Sequence, residues 1–391
     1  AERGWLDDMA LYTALKEDHG GLAWTDWEPG LRDHDREALA AAGERLADRV
    51  GAHAFRQWLF ATQWQALRRY AAERGVRLMG DLPIFIAHDS ADVWSRPGLF
   101  HLDDRGRPAV VAGVPPDYFS ATGQLWGNPL YDWHAMARED YAWWVHRLRL
   151  CLRQTDIVRI DHFRGFEAYW EVPADAETAV AGHWVPGPGL GFLESLRRQL
   201  GNLPIVAEDL GVITEPVEEL RDAFDIPGMK VLQFAWDEPR NPFQPHNYPH
   251  NCVVYSGTHD NDPTRGWWDE GCDEATREQV RDYVGHAVDE PHWTFIRLGM
   301  TSVGHTFIAP LQDVLGLGRE ARMNLPGSED GNWNWRAPAW ALDPETEPCK
   351  RLAHLTWVSR RRPDQRRSLY DDAAEDAGPA PDDAAAATRD G

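Results

Sequence analysis

The sequence has little cysteine and little lysine. Four cysteines occur in 391 residues, and none forms a C-x-x-C pair, which argues against a disulfide framework or a thiolate zinc site. Of the 40 basic residues only three are lysine, and 63 acidic residues bring the formal net charge to −23. A chain this acidic should repel nucleic-acid phosphates and anionic membranes, so we expect neither as a partner.

Long apolar runs are also missing. No run approaches the length that spans a membrane, and residues 1–8 do not have the pattern of a signal peptide, so we expect a cytoplasmic location. There is no Gly-rich phosphate loop and no G-x-S-x-G motif, and we expect no cofactor. Tryptophan, in contrast, is abundant at 20 residues. Most of these should pack in the core, but flat aromatic faces also suit sugar rings.

The periodicity of the sequence divides the chain into regions. Residues 1–75 predict a mainly helical subdomain, and from 76 to 368 strands alternate with helices, which is typical of a parallel sheet in a catalytic region. Within it, residues 95–133 are rich in Gly, Pro and aromatics and are interpreted as a substrate-covering loop insertion. Residues 369–391 predict a disordered acidic tail.

Three predicted strands each end in a carboxylate. Apolar, β-branched segments lead into Asp161, Glu208 and Asp260. Because the carboxyl ends of barrel strands lie on one face, we expect these three side chains to surround one pocket. A pair of carboxylates on either side of a glycosidic bond is the usual means of cleaving or transferring a glycoside.

The surroundings of two of these acids favour different roles. Arg159 lies two residues before Asp161, on the same side of a strand, and would keep that carboxylate ionised for nucleophilic attack. A purely structural Arg–Asp pair explains the spacing equally well. The apolar residues before Glu208 would desolvate it and raise its pKa, as a general acid requires, although a lone Glu at a strand end can also be a salt-bridge residue.

The third acid lies in a polar cluster. His259 precedes Asp260, and Asn261 and Asp262 follow it. Such residues can bind a divalent metal, but consecutive strand residues alternate sides and cannot all face one ion. We therefore expect no metal and favour a clamp on sugar hydroxyls. Asp81, on an earlier strand, is a fourth inward-facing acid in this interpretation.

At this level of detail the chain resembles a known family. It is similar to the 4-α-glucanotransferases called amylomaltases or disproportionating enzymes, relatives of the α-amylase clan, from about Trp5 to about Tyr370. The motifs that carry the resemblance lie at residues 80–94, 113–131, 159–165, 207–211, 257–262, 322–327 and 332–336.

The resemblance implies a role for each matching position. It makes Asp161 the nucleophile, Glu208 the acid/base and Asp260 the stabiliser of the transition state. Further positions are implied to contact sugar: Arg159, His259 and Asp81 at the cleavage point, Gln124, Trp126 and Asn332 near it, and Tyr118 and Phe119 on a loop over the donor glucan. The implied substrates are malto-oligosaccharides and glucans derived from starch or glycogen.

The resemblance also implies a fold. The family has a (β/α)8 TIM barrel with helical and loop insertions, and its third strand matches the strand of Asp81. We therefore expect an α/β barrel that is incomplete, with the first two strands missing.

The expected activity is transfer of α-1,4-glucan segments from a donor to the 4-hydroxyl of an acceptor, with retention of configuration. Two alternatives stay open at this point: a retaining α-glucan hydrolase, and an inactive glucan-binding fragment.

Overall fold

The structure, a computed structural model, describes residues 3–116, 120–236, 241–328 and 330–362. Contacts divide the chain into two compact units, Ala1–Met229 and Lys230–Gly391. The predicted acidic tail at 369–391 lies outside the described residues. The predicted boundaries at residues 75 and 368 stay predictions.

The first unit contains nine helices in its described part: α1 Arg3–Asp18, α2 Pro29–Arg32, α3 Arg36–Arg45, α4 Ala47–Ala72, α5 Ala91–Ser95, α6 Trp133–Arg138, α7 Ala142–Gln154, α8 Gly189–Leu200 and α9 Glu215–Asp222. Its described strands are β1 Met79–Pro83, β2 Val110–Val114, β3 Gln124–Pro129, β4 Ile157–Asp161, β5 Ala168–Pro173, β6 His183–Pro186, β7 Ile205–Ala207 and the start of β8 Gly228–Val231.

The helices α1–α4 account for the helical N-terminal pattern. Asp35 caps α3, since its carboxylate accepts from the backbone N–H groups of Glu37 and Ala38. After α4, Gly75 adopts a φ of 69°, a left-handed conformation that ends helices at low cost. The chain then enters the first strand.

A three-stranded parallel sheet in the order β1-β4-β7 forms the centre of the first unit. The strand β7 is wholly apolar and buried, and β4 is apolar except for Arg159 and Asp161. In the register, Asp81 pairs with Arg159 and Pro83 with Asp161. The C-terminal ends of the three strands therefore lie side by side.

Helices α7 and α8 cover this sheet with a buried aromatic cluster. The rings of Trp144 and Phe192 lie 5.5 Å apart, and Phe166 lies 4.7 Å from Phe192. All three side chains are fully buried. This packing fixes the helices that connect the strands and so holds the strand ends in place.

The region 95–133 differs from its prediction as a loop. It contributes β2 and β3 to a four-stranded antiparallel sheet in the order β3-β2-β5-β6. The Gly and Pro residues interrupt the sequence pattern by which strands are predicted. In the structure β2 pairs with β3 on one side and with β5 on the other. At Gly113 a side chain could not be accommodated, because a Cβ there would lie 2.5 Å from the backbone oxygen of Gln124.

The second unit contains the remaining described elements: β9 Cys252–Tyr255, α10 Thr264–Gly266, α11 Glu274–Val284, α12 Pro291–Thr301, β10 Thr306–Ile308, α13 Leu311–Val314 and α14 Glu347–Val358. Its strands follow the order β10-β9-β8, and β9 and β10 run parallel. The described strands thus form separate sheets rather than one closed barrel. Within the described residues no helix combines the length and apolar character needed to cross a membrane.

Candidate active site

Neighbouring parallel strands bring three of the predicted residues together. Arg159 on β4 donates from Nη1 to Oδ1 of Asp81 on β1 at 2.7 Å, and its Nη2 lies 2.8 Å from Oδ1 of Asp161. The guanidinium is 8% exposed, whereas both carboxylates are 44% exposed. A buried cation thus holds two accessible acids at the end of the sheet.

The electrostatics of Arg159 follow from this arrangement. Burial alone would lower the pKa of its guanidinium, but the charges of the nearby carboxylates outweigh burial and raise it. The arginine therefore stays charged. Its Nε also contacts Sδ of Met229 at 3.4 Å, which fixes the plane of the group.

Glu208 follows β7, the strand next to β4. Its Oε2 accepts from the backbone N–H of His162 at 2.7 Å, and its Oε1 accepts from the backbone N–H of Leu210 at 2.9 Å. Desolvation and then the charge of Asp161 raise the pKa of Glu208 to about 8, against the opposing effects of Arg159 and the two N–H groups. The carboxyl group is therefore protonated at neutral pH.

Main-chain hydrogen bonds join the two segments that carry these carboxyl groups. The N–H of Glu208 donates to the carbonyl of Ile160 at 3.0 Å, and the N–H of Phe163 donates to the carbonyl of Glu208 at 3.1 Å. The peptide units of Glu208 are thus bonded to residues on both sides of Asp161. A carboxylate in contact with a charged guanidinium and a carboxyl group with a raised pKa are thus presented by adjacent, paired segments.

A cleft of about 420 Å³ opens beside the nucleophile candidate. Its wall is formed by Asp161, His162, Trp126, Asn128 and residues 83–87. On β3, Nε1 of Trp126 donates to Oε1 of Gln124 at 3.1 Å. Trp126 thus lines the cleft, and this bond holds the predicted residue Gln124 against it.

The second unit contains the third predicted carboxylate. Oδ1 of Asp260 accepts from Nδ2 of Asn324 at 2.6 Å, and Oδ2 lies 3.3 Å from Nε2 of His259. Arg322 donates to the backbone oxygen of Asp260 and, at 2.9 Å, to the carboxylate of Asp262. The described residues contain no His, Cys, Asp and Glu grouping suited to a metal ion.

The side chain of Asn332 is hydrogen-bonded to the main chain of nearby residues. Its Oδ1 accepts from the N–H of Leu325 at 2.8 Å, and its Nδ2 donates to the carbonyl of Ser328 at 2.8 Å. The amide therefore ties together the segment that carries Asn324. Beside it, the half-exposed ring of Trp333 lies 5.2 Å from the ring of His259.

The structure thus groups Asp81, Arg159, Asp161, Glu208, Gln124 and Trp126 in the first unit, and His259, Asp260 and Asn332 in the second. Tyr118 and Phe119 lie outside the described residues.

Sequence reasoning gave no role to four residues beside the candidate residues: Asn128 and His162 in the first unit, and Arg322 and Asn324 in the second. All four fall inside the motifs that carry the family resemblance. Their proximity to Asp161 and Asp260 arises from turns and side-chain bonds, which spacing along a strand does not reveal.

Comparison with known proteins identifies the family. The family model of glycoside hydrolase family 77, described as 4-alpha-glucanotransferase, matches residues 1–342. The chain belongs to this family. It is a 4-α-glucanotransferase, and its activity is the transfer of α-1,4-glucan segments, which confirms the expected function.

Two related proteins that are named 4-alpha-glucanotransferase support this assignment. The 4-alpha-glucanotransferase of Thermus thermophilus is 52% identical over 352 residues, which are 88% of this chain and 70% of that protein. The 4-alpha-glucanotransferase of a Synechocystis strain is 53% identical, over 86% of this chain and 67% of that protein.

Solved structures support the fold. Amylomaltase from Streptococcus agalactiae in complex with acarbose has a TM-score of 0.87 and 37% identity, covering 92% of this chain and 72% of that one. The fold of this glucanotransferase family member is therefore α/β and TIM-barrel-like. The predicted absence of the first two barrel strands stays a prediction.

Proposed function

We propose that the transfer proceeds by a retaining double displacement, with Asp161 as the nucleophile and Glu208 as the acid/base. The supporting observation is the pairing of an Asp161 bound to Arg159 with a Glu208 whose pKa is raised to about 8. A nucleophile must be ionised and a general acid protonated before the first step.

In the first step the donor glucan is cleaved. Glu208 gives its proton to the glycosidic oxygen while Asp161 attacks C1 of the sugar, so the C1–O bond breaks and a glycosyl ester forms on Asp161. The released glucan leaves with a new 4-hydroxyl group. Glu208 is then a carboxylate and can act as a base.

In the second step the acceptor takes the chain. Glu208 removes the proton from the acceptor's 4-hydroxyl, the oxygen attacks C1, and the ester bond to Asp161 breaks. Two inversions at C1 give net retention. The enzyme returns to its starting protonation state, so neither a cofactor nor a metal enters the scheme.

The other predicted residues bind and orient the sugar in this proposal. Asp260 stabilises the transition state, oriented by Asn324 and Arg322. The remaining sugar contacts are Asp81, Arg159, His259, Gln124, Trp126, Asn332, Tyr118 and Phe119. The region 95–133 covers the bound glucan, which favours transfer because water is excluded from the ester.

We propose neutral malto-oligosaccharides and starch- or glycogen-derived glucans as substrates, used in the cytoplasm. Nucleic acids and membranes are not partners in this proposal. The excess of acidic residues supports a neutral substrate, since it repels anionic ones.

Incubation with maltotriose tests the transfer. A transferase gives glucose together with a series of longer malto-oligosaccharides, whereas a retaining hydrolase gives only shorter products. Binding of maltotriose without any product identifies an inactive glucan-binding chain. Either of the last two results would overturn the proposed function.

The roles of the two carboxyl groups are separated by a donor with a fluoride leaving group, which departs without a proton. With α-maltosyl fluoride, Glu208→Ala should still form the glycosyl ester, and mass spectrometry of a peptic digest should find the sugar on Asp161. Asp161→Asn should form no ester. A label on another residue would refute the assignment.

A further inference from the structure

The residue after the proposed nucleophile has an unusual backbone conformation. His162 has φ 55° and ψ 47°, which is the left-handed helical region. Residues other than Gly adopt this region at a steric cost and rarely do so without a local reason. At His162 the conformation turns the chain sharply at the end of β4.

Main-chain donors on both sides of this turn bind the proposed acid/base. The N–H of His162 donates to Oε2 of Glu208 at 2.7 Å, and the turn brings the next N–H, that of Phe163, to the carbonyl of Glu208 at 3.1 Å. The N–H of Leu210 takes the other oxygen, Oε1, at 2.9 Å. Two main-chain donors from different segments therefore fix the plane of the carboxyl group.

The side chain of His162 is packed rather than catalytic. Its imidazole is 8% exposed and stands edge-on to Trp126, with ring centres 4.7 Å apart. Its Nε2 is buried and has no hydrogen-bond partner among the residues that the structure describes. Room for the ring depends on Gly165, where a Cβ would lie 3.2 Å from Cδ2 of the imidazole.

Burial also keeps this imidazole neutral. Desolvation, and then the charge of Arg164, lower the pKa of His162 to about 3. The ring therefore adds no charge near Glu208 at working pH. The ring acts by packing: it fills the space between the cleft wall and Gly165, and this packing stabilises the left-handed turn.

We propose that His162 is a positioning residue for the glucan transfer, and that its left-handed backbone conformation orients Glu208 through the main-chain N–H groups of His162 and Phe163. The inference deepens the proposed function and rests on Glu208 being its acid/base. Each carboxyl oxygen keeps a second lone pair, so both N–H bonds persist whether Glu208 is protonated or not. The proton is thus delivered from a fixed direction.

The charges that face Glu208 are Asp161 and Arg159 from β4. Asp209, next to Glu208 in the chain, is buried against Arg221 and the N–H of Met229 instead. Removing the N–H of His162 from Glu208 would withdraw a bond that favours the charged form. The pKa of Glu208 should then rise above its value of about 8.

A matched set of variants separates backbone from side chain. His162→Gly and His162→Ala both remove the imidazole, but only Gly adopts a positive φ freely. We expect kcat of the Gly variant to exceed that of the Ala variant by about fivefold or more. We expect KM for maltotriose to agree between them within about twofold, since the proposal concerns the reacting group rather than ground-state binding.

Two further variants test residues that differ in their tolerance of a positive φ. Asn tolerates the left-handed region, so His162→Asn should rescue kcat. Val is β-branched and does not, so His162→Val should lose most of kcat. The alkaline limb of kcat/KM should stay near the wild-type position in the Gly and Asn variants and move to higher pH in the Ala and Val variants. Thermal unfolding monitors the fold, and if Val does not fold, the other three decide the question.

A direct titration keeps this inference distinguishable from the proposed function. The ¹³C signal of the Glu208 carboxyl reports its pKa without any turnover, and it should titrate higher in His162→Ala than in His162→Gly. Equal titration midpoints and equal kcat in these two variants would overturn the inference. Failure of the fluoride experiment above would instead overturn the role of Glu208 itself.

Discussion

Two carboxyl groups on adjacent strands have opposite environments. Asp161 is 44% exposed and bound to Arg159, whereas Glu208 is bonded by main-chain N–H groups and is desolvated. The surroundings of Glu208 raise its pKa, whereas Asp161 lies against a charged guanidinium. A division of roles between acid and nucleophile follows from this contrast.

The raised pKa of Glu208 predicts a pH profile. Because the general acid must carry its proton, kcat/KM should fall about tenfold for each pH unit above about 8. Initial rates of glucose release from maltotriose between about pH 6 and about pH 10 measure this limb. A rate that stays constant across this range would contradict the assignment.

The same group affects stability, and Glu208→Gln isolates its part. Since the folded pKa is about 8 and the ordinary value is 4.5, the folded protein holds this proton over a range where the unfolded chain has lost it. The contribution of this proton to the free energy of unfolding is full below pH 4.5 and is lost as the pH rises through about 8. Stability of the wild type should therefore fall more steeply with pH than that of the variant in urea titrations.

Some of these residues could be predicted from the sequence and some could not. The spacing of Arg159 and Asp161 on one strand face predicts their ion pair, and the apolar approach to Glu208 predicts its desolvation. The left-handed turn at His162 was not predicted, because the sequence pattern does not show when a non-glycine residue is held in that region. The main-chain bonds of the Asn332 amide were not predicted either, because they depend on a loop conformation that spacing along the sequence does not reveal.

At the scale of elements, a buried acid holds both ends of the segment that carries Asp260. Asp313 at α13 is fully buried and accepts from Oγ of Ser256 at 2.6 Å, and from N–H and Oγ1 of Thr264 at 2.6 and 2.7 Å. Burial raises its pKa, against the effect of these bonds. Residues 257–263 thus run between two anchored points.

Asp313→Ala should loosen this segment. Leaving buried donors unsatisfied costs about 1–3 kcal/mol each, so the free energy of unfolding should drop by at least about that amount and kcat should fall with it. Urea unfolding and maltotriose kinetics provide the measurements. Asp282→Asn, at an exposed position of α11, is the control and should change neither. A variant as stable as wild type would show that Asp313 is not an anchor.

Strand prediction failed where turn residues interrupt the pattern. The alternation of strands and helices after residue 76 predicts the parallel pairing of β1, β4 and β7. The strands β2 and β3 escaped prediction, because Gly and Pro within 95–133 mask short strands that are stabilised by partners far away in sequence, such as β5. Long-range pairing of this kind is not encoded in local periodicity.

At the scale of the whole molecule, charge is the dominant feature. A formal net charge of −23 opposes compaction through self-repulsion. At about 1 M salt this repulsion is screened beyond about 3 Å. This excess of negative charge should make the stability of the folded protein depend on ionic strength.

The thermal midpoint should therefore rise with KCl. If screening contributes about 1 kcal/mol, the midpoint increases by about 1 °C between dilute buffer and about 1 M KCl. Choline chloride at equal ionic strength should act alike, which separates screening from a specific potassium effect. A midpoint that is unchanged or lower in salt would contradict this prediction.

The main-chain bonds between Glu208 and the residues around Asp161 limit how the enzyme can be redesigned. Because Ile160 and Phe163 bond the peptide units of Glu208 from both sides, inserting one amino acid in either segment would misalign the pair completely. Variants designed to use shorter donor sugars, or water as the acceptor, should therefore keep these main-chain hydrogen bonds. Substitution libraries are better placed in the surrounding loops.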